Sequence, residues 1–245
     1  MKQRIHDSFS SRVRWTPLIF APVFLTLVGL GIWQLDRLSW KTQLISEIET
    51  RLSNSPVALS KCISNVNRSF YSCDYRHIKV KGHLWSDNIF TLLAKTYRKQ
   101  AGAHILVPLM LENNKAVLIN LGWVPQKFPV RELSFNEEVI ISGIARIPNN
   151  QGWFIPNNDP LRNQWYWIDL AEMSRIVGVE LSPVIIEAVM GPDPTSLPIG
   201  GQTRIRLPND HLQYAVTWFA LAFFLLVGFC LYYRQYAKIA RSNNK

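Results

Sequence analysis

The chain has 245 residues, of which 48% are hydrophobic and 18% are charged, and its formal net charge is +10 at pH 7. The apolar residues are concentrated in two long uncharged runs near the chain ends, which excludes an ordinary soluble enzyme, a disordered chain and a many-span transporter. The excess basic residues lie mostly in the terminal tails, so they give no support to a nucleic-acid partner.

The N-terminal part of the chain is predicted to be a membrane anchor. Residues 1–14 form a basic tail with a net charge of +3, and residues 15–35 contain no charged side chain. A bilayer core about 30 Å thick is crossed by about 20 helical residues, so residues 15–35 are predicted to form a transmembrane helix. A cleavable signal peptide is the less favoured alternative, because the helical pattern continues without a break to Ile48.

Residues 36–211 are predicted to form an α+β domain. Apolar and polar residues alternate with a period of two at 77–84, and two apolar runs at 104–111 and 115–121 surround a turn, which indicates strands. The sequence Glu112-Asn113-Asn114 favours a hairpin turn, and Gly178 marks the end of a short helix. The predicted strands are 78–84, 90–94, 104–111, 115–121, 139–147, 165–170 and 183–190, and the predicted helix is 171–177.

The number and spacing of these strands predict a mainly antiparallel, barrel-like domain with one or two short helices. Residues 191–210 are rich in Pro and Gly and are predicted to form a linker. They lead into residues 212–233, which carry no charge and are predicted to form a second transmembrane helix.

The charged tails predict the orientation of the chain in the membrane. The last 12 residues, 234–245, carry a net charge of +4. Short basic flanks stay on the cytoplasmic side, where they also attract anionic lipid, so both tails are predicted inside and the large domain outside. The simplest location is a bacterial inner membrane with the domain in the periplasm, and a mitochondrial inner membrane is the less favoured alternative.

The cysteines and histidines of the domain indicate no catalytic or metal centre. Cys62 and Cys73 lie in the exported segment, and free structural thiols, a disulfide and a metal pair all remain open for them. His77 and His83 would lie about 20 Å apart on one strand, and His104 is interpreted as a structural histidine. The sequence contains no nucleophile elbow, zinc-protease motif or phosphate loop, so the chain is predicted not to be an enzyme.

The two apolar runs carry a candidate binding site near the outer membrane surface. Their helical spacing places an imidazole, several aromatic rings and basic side chains at the same depth. An imidazole can ligate haem iron, rings can flank a macrocycle and arginine can pair with a propionate, although an aromatic belt at the interface would use the same residues. The residues are Gly29, Trp33, Arg37 and Lys41 in the first run and His211, Tyr214 and Trp218 at the second.

Three segments of the chain resemble the surfeit locus protein 1 family in their order and spacing. They are GIWQLDRLSWK at 31–41, NLGWVP at 120–125 and NDHLQYAVTWFA at 209–220, and the resemblance covers residues 15–235. The chain differs from the usual family pattern at Leu121, where Arg is common, and at Asp210, where Asn is frequent. Without that Arg, Gly122 and Trp123 are expected to serve the turn and its packing rather than a charged partner.

The resemblance implies a membrane assembly factor for haem-copper cytochrome c oxidase that acts while haem a enters the catalytic subunit. It implies His211 as the candidate axial ligand of the haem iron, flanked by Trp33, Tyr214 and Trp218, with Arg37 beside a propionate. The expected partners are the catalytic subunit and its assembly intermediates. Two alternatives remain: a scaffold for these intermediates that never touches haem, and a two-span sensor with an exported ligand-binding domain.

Overall fold

The structure is a computed structural model of the protein, and it consists of two compact units. The helical unit comprises residues 1–47 and 206–245, and the sheet unit comprises residues 48–205. The structure describes residues 2–66, 73–112, 114–130, 133, 138–191, 193, 196–203 and 207–242.

The helical unit contains α4 (His211–Ser242) and all but the last turns of α1 (Lys2–Ser53). Each helix has an apolar stretch long enough to cross a membrane, at Thr16–Ser53 and His211–Ile239. The two predicted apolar helices are therefore present. Both continue beyond the predicted limits of 35 and 233, because the neighbouring basic and amphipathic residues also favour helix.

Small residues and aromatic rings hold α1 and α4 together. A Cβ atom at Gly31 would lie 2.7 Å from the ring of Phe219, and Ala215 and Ala222 are buried. Farther along, Phe20 stacks on Phe229 with ring centroids 4.0 Å apart. The helices are therefore antiparallel, because residues later in α1 contact residues earlier in α4. Small residues allow their backbones to approach closely.

The sheet unit is built around eight strands in the described part of the chain. Their spatial order is β1-β2-β6-β8-β5-β4-β3-β7. The strands are β1 (Val57–Ala58), β2 (His77–Leu84), β3 (Phe90–Tyr97), β4 (Gln100–Met110), β5 (Ala116–Pro125), β6 (Glu138–Arg146), β7 (Gln164–Trp165) and β8 (Leu181–Ala188), and the helices are α2 (Leu59–Val66) and α3 (Leu170–Val177).

The sheet is mixed rather than simply antiparallel. Five of its eight strand pairings are antiparallel, and the pairings β1–β2, β3–β7 and β5–β8 are parallel. The end of β2 also pairs with β4 through two residue pairs, but β1 and β7 remain at the two ends of the strand order. Among the described residues, the ladder of β2, β6, β8, β5 and β4 thus returns to β2 only through this two-residue contact, and the predicted barrel-like shape is not confirmed.

One predicted strand, at residues 165–170, is wrong beyond Trp165. The side chain of Asn158 accepts hydrogen bonds from the backbone N–H groups of Tyr166 and Trp167, at 2.8 and 3.3 Å, which diverts them from the sheet. Asp169 then caps α3 by accepting from the Glu172 N–H at 3.0 Å.

The other predicted elements agree with the structure apart from their exact ends. The predicted helix ends at Gly178, which adopts a φ of 77°. Strands β4 and β5 are antiparallel neighbours, as the predicted hairpin requires, although Asn113 of its turn lies outside the described residues. The predicted linker contains a bridge between Ile199 and Trp123, and its residues 192, 194–195 and 204–206 also lie outside the described part.

Strands β4 and β5 form the centre of the core because they are covered on both faces. Ile105 and Ile119 belong to one buried apolar cluster, whereas the adjacent Leu106 and Leu118 belong to the other. Successive side chains of a strand point to opposite faces, so each strand contributes to both clusters. This double burial explains why these strands have long apolar runs rather than strict alternation.

A polar pair is embedded in this central hairpin. Asn120, only 4% exposed, accepts a hydrogen bond from the Gly122 N–H at 3.1 Å through Oδ1. Its Nδ2 therefore donates to Nδ1 of His104, also at 3.1 Å. Burial lowers the pKa of His104 from 6.5 to about 4, and the charge of Lys95 contributes to the same shift.

A disulfide joins Cys62 and Cys73, whose Cα atoms are 5.4 Å apart, so the structure selects one of the three states that the sequence left open. Replacing both residues with Ala should lower the free energy of unfolding by about 2–4 kcal/mol, because the unfolded chain loses a constraint. Denaturant unfolding of the full chain in detergent measures this change. The control is Cys230→Ala, since Cys230 is free and exposed. Equal stability of the double variant and the control would contradict the disulfide.

The buried His104 predicts a pH-dependent stability. The folded chain has the lower His104 pKa, about 4 against 6.5, so the unfolded chain binds more protons in this pH range. The free energy of unfolding should therefore fall by about 3 kcal/mol as the pH drops from above 6.5 to below 4. The expected result is a flatter pH profile for His104→Gln than for the original chain. The exposed His83→Gln serves as the control, and parallel profiles for all three proteins would refute the effect.

Candidate functional site

The five site residues predicted from the sequence all lie in the helical unit, where the structure brings His211 to an unforeseen partner. His211 is the first residue of α4, and its Nδ1 lies 2.7 Å from Oε1 of Gln34 on α1. Gln34 belongs to the first family-like segment, but nothing in the sequence analysis paired it with His211. Its position three residues after the tightly packed Gly31 is the signal that could have placed it on the face towards α4.

This hydrogen bond determines which nitrogen of His211 is available for ligation. An amide Oε1 can only accept, so a neutral His211 donates its Nδ1 proton to Gln34. The lone pair of a neutral imidazole then resides on Nε2. Metal-bound histidines characteristically have such an acceptor on the second ring nitrogen, which fixes both the tautomer and the ring orientation.

A second polar contact and a buried indole accompany His211. Asn209 donates from Nδ2 to Oγ1 of Thr42 at 3.4 Å, while its Oδ1 is buried and has no hydrogen-bond partner in the described part of the protein. Trp218 lies two turns after His211, and its buried Nε1 likewise finds no acceptor among the described residues. One hydrogen-bond acceptor, Oδ1 of Asn209, and one donor, Nε1 of Trp218, are thus unsatisfied close in sequence to the His211 imidazole.

The predicted residues Trp33 and Arg37 form a separate, exposed group with Trp40. The guanidinium carbon of Arg37 lies 5.6 Å from the ring centroid of each tryptophan. Trp33 is 48% and Trp40 is 55% exposed. Sequence analysis missed Trp40, although its spacing of three residues from Arg37 places it on the same side of the helix. Tyr214 is also exposed, whereas Trp218 is partly buried.

The side chains around His211 suit a haem iron, which needs one axial ligand from the protein, better than a metal ion that needs several protein ligands. No group of three or more His, Cys, Asp or Glu side chains that could hold an ion occurs in the described part of the chain. A haem supplies four nitrogen ligands itself, so one imidazole is sufficient to attach its iron to the protein. His211 is the candidate for that imidazole, and Arg37 is a candidate partner for an acidic substituent.

A second exposed feature lies in the sheet unit, on the loop between β6 and β7. Three large apolar side chains of this loop, Trp153, Phe154 and Leu161, are 95%, 93% and 100% exposed. The loop is nevertheless hydrogen-bonded, because Ile155 donates its N–H to the Gly152 carbonyl at 3.0 Å. Sequence analysis missed this feature, although a Trp-Phe pair among Gly, Asn and Pro residues was a visible signal.

Comparison with known proteins identifies the family. The model of the SURF1 family matches residues 21–223, a range that includes all five predicted site residues. Surfeit locus protein 1 of Xenopus tropicalis is 34% identical over 229 residues, which cover 85% of this chain and 72% of that protein. The human protein of the same name is 34% identical over 236 residues, with coverages of 88% and 75%.

A SURF1-like protein of Drosophila melanogaster is 33% identical over 235 residues, which cover 87% of this chain and 75% of that protein. These matches confirm the resemblance inferred from the three sequence segments. The chain belongs to the SURF1 family, whose members are known in general as assembly factors for cytochrome c oxidase.

Proposed function

We propose that this chain holds haem a through His211 and presents it to the catalytic subunit during assembly of cytochrome c oxidase. Membership in a family of oxidase assembly factors supports the general role, which is non-catalytic. The observation that carries the haem proposal is the 2.7 Å contact between Nδ1 of His211 and Oε1 of Gln34. It leaves Nε2 as the atom that would bind iron.

The surroundings of His211 suit a carrier that must release its cargo. Haem a is the cargo here and supplies the iron centre that the oxidase later uses. A single protein imidazole binds iron more weakly than two strong axial ligands would, so transfer remains possible. Arg37, which pairs with no carboxylate among the described residues, is the candidate partner of a propionate, and Trp33, Tyr214 and Trp218 are the candidate walls.

The proposal includes a membrane location for both apolar helices. Their length and composition support two membrane spans, and the basic tails of +3 and +4 support an orientation with both tails inside. His211, the first residue of α4, would then lie at the outer end of its span. We propose the bacterial inner membrane with the sheet unit in the periplasm, with the mitochondrial inner membrane as the alternative.

The decisive variant is His211→Ala, which removes the proposed iron ligand. The full chain in detergent should then fail to retain haem a, as measured by absorption titration. Gln34→Leu should weaken haem affinity by about 10–100-fold, since partners that orient a ligand typically contribute that much. His83→Ala, which changes an exposed histidine of β2, should leave the affinity unchanged. Unchanged affinity in His211→Ala together with defective oxidase assembly would refute the haem role and favour a scaffold.

The exposed loop of the sheet unit favours this scaffold as a second candidate function. Trp153, Phe154 and Leu161 present apolar area that a folded domain normally buries against a partner. Tryptophan is also the residue type that most often dominates the binding energy of protein interfaces. An assembly intermediate of the oxidase is the proposed partner of this loop, and the loop and His211 could serve the same assembly process.

The scaffold role is tested with the double variant Trp153→Ala/Phe154→Ala of the tagged full chain. The amount of oxidase catalytic subunit that copurifies with it should fall by at least about tenfold. Immunoblotting of the material purified from membranes measures this recovery. Haem affinity should not change, because the loop lies in the sheet unit rather than the helical unit. Ile176→Ala, at an exposed apolar position of α3, is the matched control. Equal recovery from both variants would rule the loop out as the docking surface.

A further inference from the structure

The sheet unit contains a cavity that the oxidase-assembly role does not use. Its volume is about 640 Å³, which lies within the range of small-molecule sites. It is lined by residues of β3, β4, β5, β6 and β8 and by loop residues that include 147–150 and 166–168. Lys95, Arg146 and Glu187 are among them, which favours a hydrophilic occupant.

Two oppositely charged side chains line this cavity without pairing with each other. Lys95 on β3 makes no ion pair with any described residue. Glu187 on β8 has a buried Oε2 atom without a hydrogen-bond partner in the same part of the chain. Burial lowers the pKa of Lys95, and the nearby carboxylate of Glu187 opposes that shift, so the two groups lie close enough to interact.

Two neutral donors accompany these charges. Trp167 lines the same cavity, and its indole Nε1 is buried and unpaired within the described residues. His104 also lines the cavity, and its Nδ1 accepts from Asn120 at 3.1 Å. With Nδ1 acting as an acceptor, the proton of the neutral imidazole resides on Nε2, which becomes a second donor.

The other charged residue of the lining, Arg146, already has a carboxylate partner. Nε of Arg146 donates to Oδ1 of Asp74 at 2.9 Å, and its guanidinium lies 4.0 Å from the ring centroid of Tyr75. The groups of the cavity without a protein partner in the described part of the chain are therefore the Lys95 ammonium, Oε2 of Glu187 and the indole N–H of Trp167. Buried polar groups of native proteins are almost always paired with protein, water or ligand, so this set requires an occupant.

We propose that this cavity binds a small zwitterion such as a free amino acid, whose carboxylate contacts Lys95 and Trp167 and whose ammonium group contacts Glu187. A singly charged ligand would satisfy only one of the two unpaired charges. A zwitterion satisfies both and adds no net charge to a partly desolvated site. This site lies wholly within the sheet unit and does not depend on haem binding by His211.

The test titrates the full chain in detergent with zwitterions of increasing charge separation: alanine, 4-aminobutyrate and 6-aminohexanoate. Propionate, butyrate, butylamine and hexylamine are the matched compounds with one charge. The proposal expects at least one zwitterion to raise the midpoint of thermal unfolding in a concentration-dependent manner, because a ligand that binds only the folded state stabilises it. The compounds with one charge should have no such effect at the same concentrations.

Variants assign the binding to the cavity. Lys95→Met and the nearly isosteric Glu187→Gln should each weaken the affinity for that zwitterion by at least about tenfold, measured by calorimetric titration. Lys79→Met, at an exposed lysine of β2, should not change it. Circular dichroism verifies the fold of each variant, and Glu187→Gln alone decides the test if Lys95→Met fails to fold. No stabilisation by any zwitterion, equal stabilisation by a singly charged compound, or unchanged affinity in the folded variants would each overturn the proposal.

Discussion

The close approach of α1 and α4 at Gly31 is the constraint on which the helical unit depends. A Cβ atom at this position would lie 2.7 Å from the Phe219 ring, so glycine leaves the space that this ring occupies between the two helices. Phe219 lies about two turns beyond His211 on α4, and Gln34 lies about one turn beyond Gly31 on α1. The same packing register that requires glycine therefore places Gln34 within 2.7 Å of the imidazole.

The sheet unit depends in a comparable way on the hairpin of β4 and β5. Both strands are buried on both faces, and the Asn120 side chain joins His104 of one strand to the Gly122 backbone of the other. Gly122 has a φ of 122°, and a Cβ there would overlap the carbonyl of Ile199. Gly122 and Trp123 of the second family-like segment thus serve packing as expected, but the expected turn is wrong, because both residues lie within β5 beside a register shift in its pairing with β4. His104 also borders the polar cavity.

The chain separates its functional features between the two units. The proposed iron ligand belongs to the helical unit, whereas the apolar loop and the polar cavity belong to the sheet unit. Substitutions in one unit therefore test one role without removing the groups needed for the other.

The sequence by itself determined the features that depend on neighbouring residues: two long apolar helices, the alternation that builds β2, and the helix that ends at Gly178. Tertiary structure decided the parallel pairing of β5 with β8, the loss of the strand after Trp165, the Cys62–Cys73 bond and the Gln34–His211 contact. Each of these joins residues that are not neighbours along a regular element. Hydrophobic periodicity records only which face of an element is buried, so it carries no information about which distant group lies against that face.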